Sequence, residues 1–333
     1  MRKTIVGVVA ALVMSACSAG TITAATVTTT TLTTTTTTTT AAPTTTAAPT
    51  TTTLASPFPT TVIAANGPVE ILEAPNAIVS LSPTATEMLF AVGAGDQVVA
   101  VDDQSNYPDT APVTDLTGFS PNVEAIAAYE PDLVVITFDP GDLVASLDSL
   151  GIPVLLEPAA ASIEDVYDQI RQLGTATGHQ QEALQLLDRM DSEIELTLLE
   201  AAPPTSQGEN LTYYFELDPT YYSVTSTTFI GQLVGMLGLE NIADPADADG
   251  FGYPQLSAEY ILDADPDLIF LADTKCCGQS PETVAERPGW DNLTAVAEGN
   301  VFALDDDMAS RWGPRIVDFL AAIADAVRQV EHP

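Results

Sequence analysis

Basic residues are scarce in this chain. Nine Lys and Arg stand against 46 Asp and Glu in 333 residues, a formal net charge of −37. That balance excludes a nucleic-acid or anionic-membrane binder acting through a general positive field. Histidine is limited to His179 and His332, and no Cys and His share a metal-site spacing. No Gly-x-Ser-x-Gly elbow, P-loop or His-based metal motif is present, which leaves no familiar catalytic constellation. Gly93-Ala-Gly95-Asp-Gln-Val98 imitates a dinucleotide fingerprint, but it follows a helical pattern and puts Val98 where the third glycine belongs. Its glycines read as a helix end. Asp247-Ala-Asp249-Gly250 imitates a calcium loop, yet Pro245 and Leu256 occupy its first and last positions. The expectation is a protein that is not an enzyme and has neither cofactor nor resident metal.

Acids are also missing before Glu70, so the part after Val69 carries about −39 and the first part almost nothing. Arg2-Lys3, the ten apolar residues Ile5–Met14 and Ser15-Ala16-Cys17 have the three regions of a secretory signal. Ten residues are half of the ~20 needed to cross a hydrocarbon core. The small residues before Cys17 resemble a bacterial lipobox, with Met14 in place of the usual Leu; the alternative is ordinary cleavage nearby. Thr21–Thr61 is almost entirely Thr, Ala and Pro. Such a stretch cannot offset its ordering entropy and reads as a solvated tether. These features divide the chain into a signal (1–17), a tether (18–68) and a globule outside the membrane. With Cys17 lipidated, only Cys276 and Cys277 remain, as neighbours.

The globule reads as alternating strands and helices. Ala77–Leu81, Val98–Val101, Asp132–Thr137 and Pro153–Leu156 are strand-like, and short helices lie between them. Thr84 and Glu87 have the spacing of a capping box at the first helix. This order indicates a parallel, Rossmann-like sheet. From Ser162 to Ala201 the pattern is helical, with a break at Gly174–Gly178 and a stripe of Ala183, Leu184, Leu187, Met190, Ile194 and Leu198. About 21 residues from Gln180 to Glu200 would reach ~30 Å, a domain diameter. The second block repeats the first: Val123–Ile136 aligns without gaps on Ala258–Leu271, each with an early Glu and then Pro-Asp-Leu. The expected architecture is therefore α/β, two Rossmann-like lobes (69–160 and 203–333) joined by a long rigid helix (161–202).

The ordered set Ile78-Val-Ser-Leu-Ser-Pro-Thr-Ala-Thr-Glu87, Asn106-Tyr-Pro108, Asn122-Val-Glu-Ala-Ile126 with Pro131-Asp-Leu133, and Pro288-Gly-Trp290 resembles the metal-chelate substrate-binding proteins of ABC importers. That family handles cobalamin, haem and iron–siderophores, and the likeness spans about Ala77 to Val330. It implies a ligand cleft between the lobes, beyond the carboxyl ends of the strands. The ligand-binding candidates there are Ser82, Thr84, Tyr107, Phe119, Phe138, Tyr221, Tyr222, Lys275, Cys276, Cys277, Arg311 and Trp312. Flat rings suit a corrin or porphyrin by stacking; any single ring has core packing as its alternative, and Trp290 is assigned to the core. Lys275, Arg311 and Arg315 either attract anionic groups of a chelate or pair with Asp305, Asp306 and Asp307. Cys276-Cys277 either ligates a metal or forms a disulfide, and a conformational role is the favoured reading.

The same resemblance implies that Glu124 and Glu259, one per lobe, dock on the permease. Each stands at a helix start, where the macrodipole alone already favours an anion. The expected partners are thus a metal chelate, with cobalamin ahead of ferric siderophore and haem, an ABC permease, and the outer face of the cell membrane through lipid on Cys17. The readings of other classes are an α/β enzyme and a surface sensor that does not transport.

Overall fold

The computed structural model describes residues 56–201 and 210–330, so the signal, Cys17 and most of the Thr-rich stretch lie outside the described residues. No helix among the described residues is long and apolar enough to cross a membrane.

Order begins earlier than the charge boundary suggests. Strands β1 (Thr60–Ala64) and β2 (Gly67–Ile71) form an antiparallel hairpin with Ala64 opposite Gly67. This corrects the tether boundary at 68. Val62, Ala64 and Ile71 are buried while their neighbours face out, an alternation that anchors the ribbon. Ala65 and Asn66 form the turn, and Gly67 after it stands at φ +102°, a conformation that suits glycine.

The first lobe continues through β3 (Ile78–Leu81), α1 (Pro83–Ala91), β4 (Val98–Val101), α2 (Val123–Ala127), β5 (Leu133–Ile136), α3 (Leu143–Asp148) and β6 (Val154–Leu156). Its four parallel strands lie in the order β4-β3-β5-β6. The strands β3 and β5 are buried on both faces, as helices on either side of a parallel sheet require. Ser82, rather than Thr84, caps α1: its hydroxyl accepts from Ala85 N at 3.2 Å, and Pro83 takes the first helical position. A proline suits that position because its missing N–H would have no partner there.

Helices α4 (Ile163–Thr177) and α5 (Gln180–Glu200) then form an antiparallel pair. Gly178 stands in the left-handed region at φ +82° and ends α4. Close contact follows from Gly174, where a Cβ would lie 2.5 Å from the Ala183 Cβ. Tyr167 Oη donates to Asp191 Oδ1 at 2.6 Å further along the seam. The break read at Gly174–Gly178 thus divides the linking segment into two helices, and the 21-residue α5 covers Gln180–Glu200 as expected.

That lobe runs β7 (Thr212–Glu216), α6 (Phe229–Gly235), β8 (Glu240–Asn241), α7 (Ala258–Ala264), β9 (Leu268–Leu271), α8 (Thr274–Cys277), α9 (Pro281–Ala285), α10 (Thr294–Ala297), β10 (Val301–Ala303), α11 (Asp306–Ser310) and α12 (Ile316–Gln329). Its parallel sheet is ordered β10-β9-β7-β8. Read by strand succession, both sheets have the order second-first-third-fourth. The repeated Pro-Asp-Leu has a structural purpose in each. Asp132 accepts from Asn76 N and Ala77 N at 2.8 and 3.0 Å, and Asp267 accepts from Thr212 N at 2.8 Å. One carboxylate per lobe thereby fixes the start of the first strand against the third. Trp290 is buried under Tyr214 and Tyr221, as assigned from sequence.

Candidate functional site

Parallel sheets bind ligands beyond the carboxyl ends of their strands, and the loops there from the two lobes meet each other. The contact centres on Glu87. Its side chain, 2% exposed, accepts from Arg311 Nη1 at 2.8 Å and from Arg315 Nε and Nη2 at 2.8 and 2.5 Å. Glu87 belongs to α1 of the first lobe and both arginines to the second. Arg311 also donates to Asn106 Oδ1 (2.9 Å) and Gln104 O (3.0 Å), while Asn106 Nδ2 donates to Asp307 at 3.1 Å. A buried carboxylate between two guanidiniums is satisfied only while both lobes stay in place. Glu87 therefore belongs to a clamp rather than to a helix cap.

The basic candidates are all spoken for. Lys275 Nζ donates to Asp305 at 2.7 Å and to Asp307 at 2.8 Å, and these bonds raise its pKa. Burial works to raise the Asp307 pKa, but Lys275, Asn106 and Arg311 outweigh it and hold the carboxyl below its ordinary value. Arg287 grips Glu216 with both terminal nitrogens, at 2.6 and 2.5 Å. The correction to the sequence reading is that Lys275 and Arg311 are neutralised by the chain's own acids.

Other candidates separate into cleft and core. Ser82 and Thr84 are buried; Ser82 is a helix cap that also accepts from Thr137 Oγ1 at 2.6 Å, so neither faces a ligand. Tyr221 stacks on Trp290 at 5.8 Å and belongs to the core margin. Trp312 is half-buried, and its Nε1 donates to Gln169 of α4 at 3.1 Å. Tyr107, Phe119, Phe138 and Tyr222 remain exposed. Phe119 is 75% exposed and touches Phe138, with ring centroids 5.8 Å apart. The Arg315 guanidinium covers one face of Tyr107 at 4.3 Å.

The sequence reading missed two rings. Phe251, 80% exposed, meets Tyr253 edge-on at 6.0 Å, and Asp247 pins their loop by accepting from Phe251 N and Gly252 N at 3.1 and 2.8 Å. Tyr253 also lines a cavity of about 110 Å³ between Ala159 and Ala160 of the first lobe and Met308 and Trp312 of the second. The signal was an aromatic pair in a Gly- and Pro-rich loop after β8, passed over in favour of the calcium-like motif beside it. A larger groove of about 1000 Å³ lies on the flank of the first lobe between β2 and α3; no second-lobe residue lines it.

Cys276 and Cys277 are joined as a disulfide and exposed in α8, which removes them as thiolate ligands in this state. No group of three or more metal-ligating side chains occurs among the described residues. Beneath α8, Asp273 is fully buried with no partner for either carboxylate oxygen. Burial, reinforced by Glu216, pushes its pKa up to about 7. Glu124 and Glu259 are exposed in the first turns of α2 and α7, which are capped instead by Asn122 and Ser257.

Comparison with known proteins places this geometry. The profile of a family described as periplasmic binding protein matches residues 78–308. An uncharacterised ABC transporter substrate-binding lipoprotein of Bacillus subtilis is 32% identical over 278 residues, covering 81% of this chain and 86% of its own. A cobalamin-binding protein of Halobacterium salinarum is 31% identical over 280 residues, covering 82% and 75%. Among solved structures, a possible iron-binding periplasmic protein of Staphylococcus epidermidis superposes with a TM-score of 0.65 at 25% identity, covering 76% of this chain and 99% of its own. A vitamin B12-binding protein of Vibrio cholerae gives 0.60 at 24%, covering 76% and 98%.

Two expectations follow from the electrostatics. Glu87→Ala leaves two buried guanidiniums without their carboxylate and should cost about 3–5 kcal/mol in denaturant unfolding; an unchanged midpoint would show that the lobes do not depend on the clamp. Asp273 has its folded pKa raised, so its contribution is full below the unfolded value near 3.8 and is lost as pH rises through about 7. Unfolding midpoints measured from about pH 4 to about pH 8 should therefore decline less steeply in Asp273→Asn than in the parent.

Proposed function

Because the chain belongs to the periplasmic binding protein family, we propose that it captures a cobalamin-class chelate outside the cell membrane and hands it to an ABC permease. Membership makes it an extracytoplasmic, membrane-associated binding component of transport rather than an enzyme. Its ligand and its contacts are the proposed part.

One observation carries the choice of ligand. Every basic side chain on the cleft loops already has a carboxylate partner: Lys275 with Asp305 and Asp307, Arg311 with Glu87 and Asp307, and Arg315 with Glu87. Haem propionates or a catecholate chelate would enter an acidic cleft without a spare cation and pay their desolvation uncompensated. Cobalamin offers broad uncharged faces and carboxamide arms instead. Phe119, Phe138 and Tyr107 from the first lobe and Tyr222, Phe251 and Tyr253 from the second supply exposed rings, each able to contribute about 1–3 kcal/mol by area burial and stacking. Among the described residues the one histidine, His179, lies at the turn between α4 and α5 beside Gln97, away from the cleft loops. The 31% likeness to a cobalamin-binding protein supports the same choice.

Delivery is assigned to Glu124 and Glu259. Both occupy the second position of a short capped helix, one per lobe, and both project free of the cap. Lipid on Cys17 would hold the protein at the membrane face, in keeping with the lipoprotein relative.

Calorimetric titration with cyanocobalamin should give a Kd below about 1 μM, and Phe138→Ala or Tyr253→Ala should each weaken it about tenfold. Binding of an uncharged ferric hydroxamate with no heat from cyanocobalamin would transfer the assignment to siderophores. In vesicles containing the permease, Glu124→Ala with Glu259→Ala should abolish uptake while the Kd stays unchanged; a lost Kd would place both residues in the fold instead.

A further inference from the structure

The pair Cys276–Cys277 lies outside the reading of ligand and docking just given, yet it is wired to the contact between the lobes. We propose that this disulfide is a thiol-exchange site, and that its reduction loosens the clamp that joins the second lobe to the first.

The turn that carries it is short and exposed. Helix α8 is four residues long with none buried, and it ends at Gly278 in the left-handed region at φ +67°. A single helical turn does not sustain itself in water, since nucleation costs more than its one or two hydrogen bonds return. Besides its own backbone bonds and the Thr274 hydroxyl, which donates to Leu304 O at 3.1 Å and to Asp306 at 2.7 Å, two constraints act on α8. One is the covalent ring closed by the exposed sulfurs. The other is the Asp306 carboxylate, which accepts from Thr274 N, Lys275 N and Cys276 N at 2.9, 2.8 and 2.9 Å. The ring and the cradle act on the same turn, so opening the ring leaves the polar contacts to hold the turn by themselves.

From there the path to the first lobe is short. Lys275 spans Asp305 and Asp307. Asp307 receives Arg311 Nη2 at 3.0 Å and Asn106 Nδ2 at 3.1 Å, and Arg311 binds Glu87 and Gln104 O. Opening the ring frees α8 to fray and withdraws Lys275 from between two aspartates. Asp305 and Asp307 then repel each other without a shared cation, and Asp307, which bonds Arg311 and Asn106, is free to shift.

The exchange balances with a thiol as reductant. A thiolate RS⁻ attacks one exposed sulfur, forming a mixed disulfide as the Cys–Cys bond breaks; a second thiol resolves it. Two RSH and the protein disulfide become RSSR and two protein thiols, with two electrons and two protons moved to the protein. The reverse reaction with RSSR restores the ring.

Hydrogen exchange with mass detection on the full chain, before and after treatment with dithiothreitol and with thiol titration to confirm reduction, tests the coupling without any ligand. Reduction should speed exchange at 274–277 and also at 104–107 and 305–311 by about tenfold or more. Cys276→Ser with Cys277→Ser should reproduce the reduced pattern and no longer respond to dithiothreitol. Faster exchange confined to 274–277, or no change anywhere in protein shown to be reduced, overturns the proposal.

Discussion

A single buried carboxylate sets the relation between the two halves of this protein. Glu87 lies in the first turns of a first-lobe helix and is held by two arginines from the last loop of the second. Taking three charged groups out of water is costly, and the cost is met only by close, nearly complete pairing. The arrangement therefore favours one spacing of the lobes over a continuum of spacings. It also consumes the positive charge of the cleft. The feature that orients the halves is the same one that leaves Arg311 and Arg315 already paired.

The duplicated architecture rests on short-range chemistry repeated in each half. Asp132 and Asp267 fasten the start of a first strand to a third, and the strand orders match. Divergence is concentrated in what lies beyond the carboxyl ends. After the third strand the first lobe presents Phe138, whereas the second buries Asp273 and projects a disulfide turn. The framework is symmetric in its scaffold and asymmetric in its surface.

Much of the fold was legible because its signals are local and periodic. The gapless alignment of Val123–Ile136 on Ala258–Leu271 revealed twin lobes, and Gly174–Gly178 marked the break between helices α4 and α5. The hairpin at Thr60 was overlooked because a run of threonines hid an alternating strand pattern and the short turn at Ala65-Asn66. Long-range pairing was illegible for a different reason. Glu87 at the spacing of a capping box looks like any helix-start acid, and only tertiary structure shows that Ser82 takes the cap and Arg311 the carboxylate. Tyr221 and Tyr222 are adjacent in sequence, yet a positive φ of 70° at Tyr221 turns one ring onto Trp290 and leaves the other outside.

The opening hairpin has a mechanical consequence. Its turn closes the outer edge of β6: Ala65 N donates to Leu156 O at 3.1 Å, and the Asn66 side chain bonds both Val154 O and Leu156 N. An uncovered edge strand invites sheet-to-sheet pairing between neighbouring copies, a hazard wherever molecules crowd on one surface. The ribbon blocks that pairing. Traction applied to the chain ahead of Thr60 would fall first on the open end of the ribbon, where Thr60 faces Ile71, and would reach the first lobe through its hairpin.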